Sequence, residues 1–134
     1  MITKEKRLEI VRYWWAKAVE SLASARREFQ AGSLSFAMNR LYYASFYAVS
    51  ALLMEHELSF KKHSGVRAAF HQHFIKEGVL DHKWGRLYDQ LFEDRQEGDY
   101  VVFISFEPEY VESQLIQCSQ FLEQLRSLIT SVSE

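Results

Sequence analysis

The sequence predicts an all-α protein, an up-and-down bundle of about five helices that forms one domain over residues 1–134. Three observations lead there. Apolar residues recur at spacings of three and four along several long stretches, the period of a helix with one buried face. One proline and five glycines leave few places where a helix must break. Apolar residues at 48% against 25% charged, with aromatics at 15%, suit a chain that buries an aromatic-rich core and does not stay disordered.

The first helix is carried by Leu8, Val11, Trp15, Ala18, Leu22, Ala25 and Phe29, one stripe that Gly32 is placed to end. Trp14 lies beside the stripe and widens it. The second helix, about Ser33 to Leu58, is apolar or aromatic nearly all round, the pattern of a helix covered on several sides. Its alanines, Ala37, Ala44, Ala48 and Ala51, allow close helix approach, while Tyr42, Tyr43, Phe46 and Tyr47 fill larger gaps. Tyrosine hydroxyls buried there need partners. A third, shorter helix spans about Ser64 to Lys76, with Val66, Phe70 and Phe74 inward and Gly78 closing it. Asp81 can cap a fourth, His82 to Glu97, with Trp84, Leu87, Tyr88 and Leu91 inward. Val101 to Phe106 has strand composition, but a lone strand has nothing to pair with, so an extended connection packed on the bundle is expected. Ser105, Pro108 and Glu109 mark the last helix start, and Val111, Leu115, Cys118, Leu122, Leu125 and Ile129 form its stripe.

Several function classes fall away. One cysteine, Cys118, makes neither an intrachain disulfide nor a thiolate metal site and reads as core. No secretory leader is visible at the N-terminus, and Leu41 to Met54 is too short to span a membrane. A cytoplasmic location is the expectation. His71 and His73 point to separate helix faces, no HExxH occurs, and no metal or cofactor is predicted. Neither a glycine-rich phosphate loop nor a nucleophile elbow around Ser64 is present.

What remains is charge. Residues 61–88 hold six Lys or Arg against two acids, whereas residues 89–134 hold ten acids against two Arg. The stretch FKKHSGVRAAFHQHF, Phe60 to Phe74, concentrates that positive charge. Free amides at a helix start, with Lys61, Lys62 and His63, could hold a phosphate; otherwise Ser64 caps the helix and the lysines stay solvated. Arg67 and His73 have the spacing R-x5-H, but six residues of helix leave them about 120° apart. Arg40 needs a carboxylate or exposure, and a salt bridge with Asp99 or Glu93 is expected. Arg95 and Asp99 are placed to pair at i,i+4 beside Tyr100.

The segments Ala37 to Leu53, Lys61 to Phe74 and Arg95 to Tyr100 together resemble the HEPN superfamily, within it the small stand-alone UPF0332 branch. The resemblance runs over nearly the whole chain. It implies a helical bundle that homodimerises through its long helices, and a minimal nucleotidyltransferase as partner in a toxin–antitoxin or defence pair. Active members carry R-x4-6-H near the start of a late helix; here Arg95 and Tyr100 match, with no histidine following. The resemblance therefore implies an RNA- or nucleotide-binding or protein-interaction module, with a metal-independent endoribonuclease and a structural adaptor as alternatives. The expected ligand residues are Lys61, Lys62, His63, Tyr43, Tyr47, Arg95 and Tyr100. If RNA is cleaved, His63 is the base and Arg95 steadies the phosphate.

Overall fold

The computed structural model describes residues 2–102 and 104–132. Its elements are α1 (Lys4–Gln30), α2 (Leu34–Glu55), α3 (His63–Phe70) continued by a π-helical turn (His71–Ile75), α4 (His82–Tyr100) and α5 (Pro108–Arg126). Among the described residues there is no strand, and no helix is long and apolar enough to cross a membrane.

The helix ends follow local chemistry. Thr3 caps α1 by accepting from the Lys6 amide, and Asp81 caps α4 by accepting from Lys83, each satisfying a donor the first turn leaves free. Gly32 sits at φ +78° and ends α1, with the Ser33 amide reaching back to the Glu28 carbonyl. The end of α2 has the same shape but lacks glycine. Glu57 adopts φ +62°, and the Leu58 amide bonds the Leu53 carbonyl at 2.8 Å. α2 therefore stops at Glu55, three residues short of the expected end. Lys62, not Ser64, holds the N-cap position of α3; Ser64 is exposed in the first turn and caps nothing.

α2 is the axis of the bundle. It packs along α1 over most of its length and also meets α3, α4 and α5. Its alanines Ala37, Ala44, Ala48 and Ala51 are all buried, so neighbouring backbones approach closely, and Met38, Leu41, Leu52 and Leu53 fill the space between them. Each such large side chain contributes about 1.5–3 kcal/mol by leaving water. The buried Ser21 hydroxyl finds its partner across helices: its Oγ donates to the Arg40 carbonyl at 2.8 Å, tying α1 to α2. Cys118 lies in the core against Ser45 Oγ at 3.4 Å, and burial pushes its thiol up to about 11, so it is an inert core residue as its stripe predicts.

α4 runs three residues beyond the expected end, to Tyr100, which places Gly98 inside the helix. The Phe106 ring lies where a Gly98 Cβ would meet it at 3.1 Å, so the chain before α5 packs back on α4. Of the segment with strand composition, Phe103 lies outside the described residues; Val101 and Val102 form an exposed bend and turn.

Candidate functional site

Three elements converge at one end of α3. α2 supplies an aromatic wall, Tyr42, Tyr43 and Phe46, whose spacing keeps the rings on adjoining faces. α3 begins at His63, and its imidazole stacks on the Phe46 ring at 4.1 Å between centroids. The Tyr42 hydroxyl meets His63 Nδ1 at 2.8 Å. α4 brings Arg95 to the same wall: its guanidinium lies 5.3 Å from the Tyr43 ring centre and 5.6 Å from that of Tyr42, and donates to the Tyr43 hydroxyl at 3.1 Å.

Arg95 has only 16% of its side chain exposed. Asp99 pairs with it at 3.0 Å, one helical turn on, as the spacing predicts. The pairing is coulombic and not directional, because the Arg95 Nε–H finds no acceptor in hydrogen-bond geometry. Asn39 donates to the same carboxylate at 3.2 Å. Asp99 is thus shared between α2 and α4.

Burial, and then the Arg95 charge, lowers the His63 pKa below its usual 6.5. The imidazole is neutral at pH 7. Burial pushes the Tyr42 phenol up to about 12, so it keeps its proton. The wholly buried Tyr88 hydroxyl lies near enough for the two phenols to influence each other's ionisation, but without hydrogen-bond alignment. Tyr42 can donate to His63 Nδ1 or accept from it. When it accepts, the lone pair lies on Nε2, the state a general base requires.

The predicted residues therefore divide. His63, Arg95 and Tyr43 come together. Tyr47 reaches the wall through Tyr43, at 5.7 Å, but also stacks on Trp14, with the Lys17 amine 5.3 Å over its ring. Lys61 and Lys62 are exposed just before α3, and Tyr100 is 72% exposed, 5.8 Å from the Arg95 guanidinium. Arg67 and His73 do not meet, as their helical angle requires: His73 is exposed, while Arg67 pairs with Asp89 at 3.4 Å and covers the Phe92 ring at 4.6 Å. The expected Arg40 salt bridge is absent among the described residues. Arg40 is exposed over Tyr43, because Asp99 is turned to Arg95 and Asn39.

Sequence reasoning missed two features. His71, one turn after Arg67, meets Asp89 at 2.9 Å, and Gly85 makes room for its ring, since a Cβ there would lie 2.9 Å from His71 Cε1. The signal is two i,i+4 pairs, Arg67 with His71 and Gly85 with Asp89, on helices whose facing could not be known beforehand. The second feature is a cleft of about 380 Å³ beside His63, lined by Trp14, Phe46, Ser50, Phe60 and Lys61 among others. Among the described residues no cluster of His, Cys, Asp and Glu is arranged to hold a metal ion.

Comparison with known proteins agrees with this architecture. The model of the HEPN domain matches residues 11–128. A UPF0332 protein of Thermotoga maritima is 43% identical over 96% of both chains. Two proteins of Methanocaldococcus jannaschii, each described as a candidate toxin, are 34% and 30% identical over 86% of this chain and 78% and 85% of their own.

Proposed function

The chain belongs to the HEPN domain family, and from that premise we propose that it is a toxin-type module that binds RNA or a nucleotide through phosphate between His63 and Arg95. One observation carries the reading: two separate helices bring a neutral imidazole and a nearly buried guanidinium to the same aromatic wall. That combination suits a ligand with both anionic oxygens and planar rings. Lys61 and Lys62, exposed at the entrance, add attraction at longer range. The descriptions of the two archaeal relatives favour a toxin role. A minimal nucleotidyltransferase is the protein partner that family resemblance suggests. The working unit is a homodimer through the long helices α1 and α2, each of which leaves an apolar side chain exposed, Tyr13 on α1 and Phe36 on α2.

A second reading has its own support. A histidine kept neutral beside an arginine is what metal-independent RNA cleavage needs. The Nε2 lone pair takes the 2′-hydroxyl proton, the 2′-oxygen attacks phosphorus to form a 2′,3′-cyclic phosphate, and the 5′-oxygen leaves with a proton from water, while Arg95 stabilises charge on the phosphate.

The test is incubation of the protein with a mixed RNA pool in chelator, alongside His63→Ala and Arg95→Ala, with binding followed in the same samples. Binding that weakens in Arg95→Ala without cleavage supports the first reading. Cleavage lost in both variants establishes the second. Neither binding nor cleavage makes the protein an adaptor, to be pursued through its protein partner.

A further inference from the structure

We propose that the cleft beside His63 is a base-reading subsite, taking the planar base of one nucleotide of a single-stranded RNA whose phosphate lies at His63 and Arg95. The inference rests on the RNA-binding reading above and adds to it where sequence discrimination would arise. The volume, about 380 Å³, is within the range of small-molecule sites. Among the described residues the Lys61 amine lines it beside the neutral His63 imidazole, and no carboxylate does. It therefore favours an anionic ligand over a cationic one.

Three rings, Trp14, Phe46 and Phe60, line it beside the aliphatic Leu53, Met54, Leu58 and Val66, and Trp14 and Phe46 are each braced by a ring on a neighbouring helix. Trp14 is backed by Tyr47, stacked at 5.7 Å with the rings 21° apart. Phe46 shares its face with His63. Phe60 lies against the first turn of α3 because Gly65 has no side chain: a Cβ there would stand 3.2 Å from Phe60 Cβ. Rings fixed in this way stack on a base without first losing conformational freedom. Ser50 and Ser59 put hydroxyls, each donor and acceptor, on the same lining, suited to the mixed edge of a base. An aliphatic chain would bury those hydroxyls and the Lys61 amine with nothing to bond. His63 belongs both to the cleft and to the Arg95 cluster, so base and phosphate of adjoining groups fit together.

The test uses the full chain and a short single-stranded RNA in which one abasic position is moved along the strand. Cleft variants are Phe60→Ala, Ser50→Leu, which fills the space, and Gly65→Ala, which displaces Phe60 without touching charge; Arg95→Ala marks the phosphate site. Thermal melts confirm that each variant folds. An abasic position at the critical step is expected to weaken binding to the unaltered protein about tenfold, the scale of one stacked base. Phe60→Ala and Ser50→Leu should cause a similar loss and erase the abasic effect. If the cleft variants bind like the unaltered chain while Arg95→Ala weakens binding, the phosphate site stands and the cleft inference falls. If no RNA binds, the functional reading falls, and titration with free adenosine or uridine decides the cleft alone. Chemical-shift changes at the Trp14 indole that Ser50→Leu removes support it; their absence overturns it.

Discussion

At the Arg95 side chain a ligand phosphate would compete with groups already in place. The guanidinium faces Asp99 at 3.0 Å and donates to Tyr43, so part of its charge is neutralised within the protein. Removing that carboxylate should free it. Asp99→Asn is expected to tighten binding of a phosphate-bearing RNA by about two- to tenfold, the yield of one partly screened charge pair; weaker binding in a titration would mean that Asp99 positions Arg95 more than it restrains it. Gly85 is a second residue whose identity the structure explains. Alanine would gain about 1 kcal/mol in helix propensity but force its Cβ against the His71 ring and Ile75, an overpacking cost of about 1–3 kcal/mol. The steric cost prevails. Gly85→Ala should lose about 1 kcal/mol in denaturant unfolding, and a gain would show that the imidazole swings aside freely.

Along the elements, α3 and its π-helical continuation face α4 at three successive places: His63 within charge reach of Arg95, Arg67 over Phe92, and His71 on Asp89. This ladder orients the first residue of α3. It also has a pH consequence. His63 has a lowered pKa in the folded chain, so the unfolded chain binds its proton first as pH falls below 6.5. Its contribution to stability is full above that pH and declines as pH drops towards the folded pKa. If His63 is the base, cleavage should persist below pH 6.5, with an acid limb centred under that value. A limb above it would assign the base elsewhere. Much of this scale was legible beforehand. Gly32, Asp81 and Pro108 announced helix ends because caps and turns are local chemistry, and the apolar stripes, with the all-round apolar second helix, announced the buried faces. The meeting of His63 with Arg95 could only be raised as a possibility. The His71–Asp89 contact was invisible, since it depends on how two helices face each other. Arg40 was misjudged for the same reason: its expected partner Asp99 lies nearer another arginine.

For the whole molecule, the excess of acids in residues 89–134 and of bases in residues 61–88 separates charge along the chain, while the net value is only -2. Binding of nucleic acid would then depend on local field and fall with salt. If the proposed homodimer forms through α1 and α2, where Tyr13 and Phe36 are exposed, light scattering on a sizing column should return twice the 15.8 kDa chain mass at micromolar concentration. A monomer would remove the seam on α1 and α2.

The π-helical turn at His71–Ile75 carries a consequence for chain length. Its wide loop, closed by the Lys76 amide on the His71 carbonyl at 2.8 Å, is an α-helix holding one residue more than it needs. Gln72 and His73 on it are both exposed. Deleting either should let the turn relax to ordinary pitch and leave a folded protein, whereas deleting Ala68, upstream, would rotate Phe70 and Phe74 out of the core. Soluble yield and melting temperature of the two deletions would distinguish them. A lineage of such chains could lengthen or shorten here by a single codon without redesigning the bundle.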